Sequence, residues 1–156
     1  DYVTEEVNLV EEVKRMINQR KKQFIHQQIY PRLKVNCQEP IVLTDRKWNQ
    51  VMLDQFISNA IKYSSVKEGD KQINFIIESK EDKVFLRIID QGIGIPDYDQ
   101  NKVFEPFFTG ENGRKQSNST GIGLYICSKI AEKLGHELSL QSEKGQGTEI
   151  RVSYFT

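Results

Sequence analysis

The sequence predicts an α+β fold, a two-layer sandwich in which three helices cover a mixed, mostly antiparallel sheet. Three observations carry that expectation. Stretches 9–27, 46–64 and 121–134 space their apolar residues at helical intervals, whereas 73–78, 84–89, 137–141 and 148–154 are short apolar runs bounded by polar or glycine turns. The elements run helix, strands, helix, two strands, a long aperiodic segment, helix, two strands, which is not the regular alternation of a parallel sheet. The 156 residues, 37% apolar and 28% charged, suit one domain over 1–156 with a single core.

Each element has a local reason. Residues 1–8 read as an extended lead-in, and Leu9, Val10, Val13, Ile17, Phe24 and Ile25 mark one helix that Pro31 closes. Ile29, Leu33 and Val35 alternate with Tyr30, Arg32 and Lys34 as in a strand, and Pro40 and Thr44 bracket the apolar run Ile41-Val42-Leu43. Asp45 is an N-cap for a helix from Arg46 to about Ser64, and a polar turn containing Gly69 follows. Lys80-Glu81-Asp82-Lys83 joins two strands as a hairpin turn. The segment from Asp90 to Thr120 has little periodicity, holds Gly92, Gly94, Gly110 and Gly113, and is bordered by Gly121. A connection that long inside a compact domain is usually functional. Gly135 stops the last helix, and the final strand pair folds around Gly145-Gln146-Gly147.

Lysine plus arginine number 22 and aspartate plus glutamate 22, so the chain is formally neutral. That excludes the basic excess of a dedicated nucleic-acid binder and leaves room for a local anion pocket. Two cysteines, Cys37 and Cys127, make neither a disulfide framework nor a metal-ligand set, which fits a reducing compartment. No apolar run approaches the roughly 20 residues that span a bilayer, and no signal peptide is visible. A chain that opens on Asp1 rather than Met is expected to be a piece of a longer protein, with any membrane segments elsewhere.

The helix from Arg46 has two faces. At roughly 100° per residue, Leu53, Phe56, Ile57, Ala60 and Ile61 form a core stripe, while Gln55, Asn59 and Lys62 line up on the opposite side with Tyr63 at its edge. Such a face is either solvated or a phosphate and metal face: an amide oxygen is a hard ligand for Mg²⁺, and an ammonium neutralises phosphate. Asp90-Gln91-Gly92-Ile93-Gly94-Ile95-Pro96 follows an apolar strand, where glycines allow close approach of a ligand and an aspartate can accept from an exocyclic amine. No helix and no third glycine follow, so it is not the dinucleotide fingerprint. Thr120-Gly121-Ile122-Gly123-Leu124 opens a helix whose free N–H groups suit phosphate, and no GxxxxGK[ST] occurs. Val103-Phe104-Glu105-Pro106-Phe107-Phe108 sets three phenylalanines in a polar stretch, as a hydrophobic anchor or a docking element.

In order and spacing these motifs resemble the catalytic and ATP-binding domain of bacterial sensor histidine kinases, in the superfamily of gyrase, chaperone and mismatch-repair ATPases. Gln55 to Ser64 is similar to the N box, Asp90 to Gly94 to the first glycine box, Val103 to Phe108 to the F box, Gly121 to Gly123 to the second glycine box, and Gly145 to Thr148 to the closing glycine motif. The resemblance implies a Bergerat-type fold with a long ATP lid over about 97–119. It implies ATP and Mg²⁺ as cofactors, Asn59 as metal ligand with Gln55 beside it, Lys62 at a phosphate and Tyr63 next to adenine. Asp90 would read the adenine amine, with Gly92, Gly94 and Ile95 forming the pocket and Thr148 supporting it. Gly121, Gly123 and Leu124 would offer backbone N–H groups to phosphate. Lys102, Arg114 and Lys115 would be lid cations, Arg114 favoured for its bidentate geometry, and Phe104 would border the nucleotide.

Histidine kinases commonly carry asparagine where this chain has Gln55, and the related ATPases a glutamate that serves as base toward water. Glutamine cannot be that base, which argues for phosphotransfer over hydrolysis. The catalytic set implied is Gln55, Asn59 and Arg114. His26 and His136 lack the context of a phosphoacceptor and read as surface or structural, so the acceptor helix is expected outside this chain. The partners implied are that phosphoacceptor-histidine helix, in the same protein or its dimer mate, and a response regulator, with no nucleic acid and no direct membrane contact by this domain. The setting implied is the cytoplasmic side of a membrane-anchored bacterial kinase. Two other readings are a nucleotide-gated binding module, of the anti-sigma or degenerate-kinase type, and a stand-alone ATPase. Leu53 to Asn59 further resembles the N box of small Gram-positive kinases that work beside peptide-antibiotic transporters.

Overall fold

A computed structural model describes residues 1–106, 108 and 123–156. Its main sheet combines β2 (Ile29–Asn36), β4 (Lys71–Lys80), β5 (Lys83–Asp90), β6 (Glu137–Glu143) and β7 (Gly147–Phe155) in the order β2-β4-β5-β7-β6. β2 and β4 are parallel and every other pair is antiparallel, so the sheet is mixed and mostly antiparallel, as expected. A second, two-stranded sheet pairs β1 (Glu5–Asn8) with β3 (Ile41–Thr44). The lead-in is thus a strand, and the apolar run Ile41-Val42-Leu43 is its partner.

Period-two alternation builds the core layer. Ile73, Phe75 and Ile77 of β4 are fully buried, and register sets Phe75 opposite Ile88 and Ile77 opposite Leu86, with Val152 and Ile150 beyond them on β7. The helices cover that face. α1 (Leu9–Gln19) brings Leu9, Val13 and Met16; α2 (Lys21–His26) brings Phe24; α3 (Arg46–Ser64) brings Met52, Leu53, Phe56, Ile57, Ala60 and Ile61; and α5 (Gly123–Leu134) brings Cys127, Ile130 and Ala131. The other face is polar. There Arg87 forks onto Glu149 at 3.0 Å and meets Glu78, and the Arg151 guanidinium lies 4.1 Å from the Phe85 ring centroid. One helical layer on one face of one sheet is the two-layer sandwich that the pattern predicts.

Three expectations change. The single helix over 9–27 is two, broken at Arg20 (φ −106°, ψ 16°), whose guanidinium forks onto Asp54 of α3 at 2.9 and 3.0 Å. The apolar spacing continues through the break, but the ion pair to α3 holds the chain in a non-helical turn. Pro31 does not close a helix. α2 ends at His26, Gln28 takes a positive φ of 59°, and Pro31 lies inside β2, an edge strand where a missing N–H is tolerated. Finally, the first part of the segment expected as an aperiodic lid is ordered: α4 (Asp97–Gln100) and linked turns through Glu105 follow Pro96.

Asp45 caps α3 as expected, its carboxylate accepting from Trp48 N at 3.0 Å and also from Val3 N at 2.6 Å, which ties the N-terminus to the helix. The hairpin turn is Glu81-Asp82, with Glu81 at a φ of 59°. Both cysteines are free thiols; Cys127 is buried against α3, its thiol donating to Met52 O at 3.5 Å and pushed up to about 12 by that burial.

Candidate functional site

The site grows from α3. Its buried face is the predicted stripe, and Gln55, Asn59, Lys62 and Tyr63 lie half-buried on the side away from it. Gln55 and Asn59, one helical turn apart, project in the same direction. Neither side chain has a hydrogen-bond partner among the described residues, so both amide oxygens are available to a hard cation. Lys62 sits with its Nζ 5.5 Å from the Tyr63 ring centroid, and partial burial lowers its pKa. A phosphate placed there would favour the charged form and offset that desolvation.

Two close approaches bring the other motifs onto this helix. Gly123 opens α5 against Gln55, and a Cβ at that position would collide with the Gln55 Oε1. Gly92 packs beneath the last turn of α3, where a Cβ would lie 2.8 Å from Tyr63 O. The N box, the end of the first glycine box and the start of the second thus share one cleft. Leu124, in the first turn of α5, is half-buried and packs against the core.

Asp90 ends β5 on the other wall of the cleft. Its Oδ1 accepts from Gly92 N at 2.8 Å and from Thr148 N at 3.2 Å, and Oδ2 has no hydrogen-bond partner among the described residues. Burial raises the carboxyl to about 6, against the two backbone hydrogen bonds and the charge of Lys67, which lower it. One oxygen is held by backbone N–H groups, and the other is left without a hydrogen-bond partner among the described residues.

The turn after Asp90 is clasped to the β6–β7 hairpin. The Ser142 hydroxyl accepts from Ile95 N at 2.8 Å, donates to Gly147 O at 2.9 Å and lies 2.8 Å from the Thr148 hydroxyl. The Gln100 amide donates to Ile95 O and to Ser142 O, both at 2.8 Å. Gly145 N donates to Ile93 O at 2.7 Å, and Lys67 Nζ donates to Gly145 O at 2.8 Å. Gly94, at a φ of 70°, lies against the Glu143 backbone, where any side chain would collide. Sequence reasoning missed Ser142, Gln100 and Lys67. Ser142 becomes readable only through the register that sets it opposite Thr148.

The predicted residues therefore gather as follows. Gln55, Asn59, Lys62, Tyr63, Asp90, Gly92, Gly94, Ile95, Gly123, Leu124 and Thr148 lie on α3, the β5 turn, the start of α5 and the β7 start that surround the cleft. Lys102 is exposed on the turn after α4, and Phe104 is half-buried and packed against the core, with Val103 buried beside it. That is the anchoring function considered for the F box. Arg114, Lys115, Gly121, Phe107 and most of the expected lid lie outside the described residues. His136 is buried and structural, its Nε2 2.7 Å from the Thr44 hydroxyl, and His26 is exposed at the end of α2.

Among the described residues no cluster of three or more His, Cys, Asp or Glu could hold a metal alone. A cation held here would be carried largely by a ligand's own phosphates and completed by one or two amide oxygens and water, which is how Mg²⁺ is commonly bound. Asn59 and Gln55 fit that arrangement. No helix among the described residues is long and apolar enough to cross a membrane.

Comparison with known proteins gives the fold's family. Residues 44–155 match the family described as histidine kinase-, DNA gyrase B- and HSP90-like ATPase. The chain is 38% identical over its full 156 residues to the sensor histidine kinase YxdK of Bacillus subtilis (strain 168), covering 47% of that protein. It is 35% identical over 113 residues, 72% of its length, to the sensor protein kinase GraS of Staphylococcus aureus (strain JH1), covering 32% of that protein. The chain thus spans less than half the length of these relatives. Among solved structures, the catalytic domain of histidine kinase ThkA superposes with a TM-score of 0.84 at 23% identity, over 98% of this chain and 95% of that one. Full-length ShkA, solved in complex with AMPPNP, gives 0.84 at 19% identity over 99% of this chain and 31% of that one. With the fold, the cleft and these likenesses in agreement, the chain belongs to the histidine kinase-, DNA gyrase B- and HSP90-like ATPase family, and within it to the ATP-binding domains of bacterial sensor histidine kinases.

Proposed function

We propose that this domain binds Mg-ATP in the cleft between α3, α5 and the Asp90 turn and delivers the γ-phosphoryl to a histidine on a separate phosphoacceptor helix. The observation that carries the reading is the meeting of two unlike surfaces in one cleft: a carboxylate with one free oxygen, suited to an exocyclic amine, and a row of amides and an ammonium, suited to a phosphate chain with its cation. Asp90 Oδ2 accepts the adenine amine, and Tyr63 lies beside the base. Lys62 and the N–H groups of Gly123 and Leu124 meet phosphate, joined by Gly121 and, from the lid, by Lys102 and Arg114. Asn59, with Gln55 beside it, contributes amide oxygen to Mg²⁺. The cation, when bound, neutralises phosphate charge as it does in other phosphoryl transfers.

In the transfer, the lone pair of an imidazole nitrogen attacks the γ-phosphorus in line. The bond from that phosphorus to the bridging β-γ oxygen breaks, and ADP leaves with the electron pair. The domain's part is to hold and orient the nucleotide. Gln55 offers no base to water, which favours transfer over hydrolysis. The whole protein then passes the phosphoryl group to a response regulator, as a sensor kinase anchored at the bacterial membrane.

The test is calorimetric titration of the chain with a non-hydrolysable ATP analogue, with and without Mg²⁺, and with GTP as control. Adenine-selective binding strengthened by Mg²⁺ is expected, and Asn59→Asp is expected to remove the Mg²⁺ gain while thermal unfolding stays within a few degrees. No binding at millimolar nucleotide overturns the reading and turns the search to a protein-contact module.

A further inference from the structure

Charge is segregated in this neutral chain. Residues 13–38 contain seven Lys or Arg and no Asp or Glu. Two of the seven are neutralised from outside the segment, Arg15 by Glu12 and Arg20 by Asp54. Lys14, Lys21, Lys22, Arg32 and Lys34 make no ion pair among the described residues.

The same segment carries an apolar groove. α1, α2 and β2 enclose a cavity of about 560 Å³ whose floor includes the buried Phe24 and Ile29. Its lips are Ile25, 68% exposed, and Tyr30, 54% exposed, and Lys14 and Lys21 stand on its rim with no carboxylate in the lining. Large apolar side chains held in water around a concavity mark a surface that a partner covers. The neighbouring edge of β2 is a poor template for an added strand, because Pro31 offers no N–H there. A helix laid along the groove uses the concavity without needing that edge.

We propose that this groove docks an acidic amphipathic helix of a partner protein: large apolar side chains enter between Ile25 and Tyr30, and Glu or Asp residues on the helix flanks meet Lys14 and Lys21. Charge complementarity selects this occupant. A basic or neutral helix would leave the rim cations unpaired at a dry contact, which costs affinity and rejects wrong partners. The groove shares no residue with the nucleotide cleft, so the proposal stands independently of the phosphotransfer reading.

The experiment uses three probes on the chain: a synthetic amphipathic helix with Leu and Phe on one face and Glu on its flanks, the same peptide with Lys for each Glu, and vesicles rich in phosphatidylglycerol. The Glu peptide is expected to bind by fluorescence anisotropy and to shift backbone amide resonances within 14–34, leaving those of Gly92 and Thr148 in place. Lys14→Glu combined with Lys21→Glu is expected to weaken it about tenfold or more, and Ile25→Asp to weaken it comparably. All three positions are exposed, and an unchanged thermal midpoint establishes that the variants fold. Equal binding of the Lys peptide, shifts outside 14–34, indifference to the variants, or no binding at millimolar Glu peptide each overturn the proposal. So does binding to vesicles without binding to the Glu peptide, which would make the face a membrane contact.

Discussion

At Asp90, burial and hydrogen bonding pull in opposite directions, and burial is the larger influence, leaving the carboxyl near 6. A hydrogen bond accepted from an amine stabilises the ionised form, so nucleotide binding must first deprotonate any neutral Asp90. Below about pH 6 the ionised fraction falls tenfold per unit, and adenine-dependent affinity is expected to fall with it, by about tenfold between pH 7 and pH 5. Phosphate protonation also changes over this range, so the informative quantity is ADP affinity relative to pyrophosphate affinity, measured calorimetrically at each pH. Asp90→Asn is expected to lower that ratio at pH 7 and to abolish its pH dependence. A ratio unchanged between pH 7 and pH 5 in the unmodified protein would remove Asp90 from adenine recognition.

Elements meet at the clasp between the Asp90 turn and the β6–β7 hairpin, where one hydroxyl and one amide make six contacts. Ser142→Ala leaves Ile95 N without its side-chain acceptor, and Gln100→Glu sets a carboxylate against the two carbonyls that the amide served. Each change is expected to cost about 1 kcal/mol or somewhat more in urea unfolding and to weaken ADP several-fold with little effect on pyrophosphate. Equal weakening of both ligands would make the clasp merely structural. Its members were invisible in the sequence for a physical reason. A serine in a strand and a glutamine in a four-residue helix acquire meaning only from register and from the path of a loop. The face of α3 was legible because a 3.6-residue period fixes which side chains share a side, whatever packs there. Asp45, Asp90 and Gly123 were legible because capping, strand ends and close approach impose local rules. The break at Arg20 was not, since its cause is Asp54, 34 residues away. Nor was the strand containing Pro31 recognisable as an edge until the sheet order was known.

At the scale of the whole molecule, two buried titrations oppose each other. His136 is buried, touching Thr44 and stacking at a tilt 4.5 Å from the Tyr154 ring, and desolvation lowers it from the usual 6.5 to about 4. Between those values the unfolded chain carries a proton that the folded chain refuses. Stability from His136 is therefore fully present above about pH 6.5 and is lost as pH falls toward 4, with a slope of about 1.4 kcal/mol per pH unit. Asp90 runs the other way. Its folded carboxyl keeps a proton up to about pH 6 that the unfolded chain has released near 3.8, so its contribution is present at low pH and is lost as pH rises through 6. Across about pH 4 to 6 the two slopes nearly cancel. Removing either exposes the other: relative to the unmodified protein, Asp90→Asn is expected to make stability climb more steeply with pH in that window, and His136→Gln less steeply, by up to about 1.4 kcal/mol per unit in each case. Position 148 of β7, paired with Asp90, and position 153, paired with Glu137 beside His136, are five residues apart, or roughly 16 Å along the strand. At that distance the two effects should add, and the double variant should regain the slope of the unmodified chain. Urea unfolding at half-unit pH intervals on the four proteins checks this, and a double variant whose slope departs from that of the unmodified protein by as much as either single variant's would show that the two sites do not titrate independently.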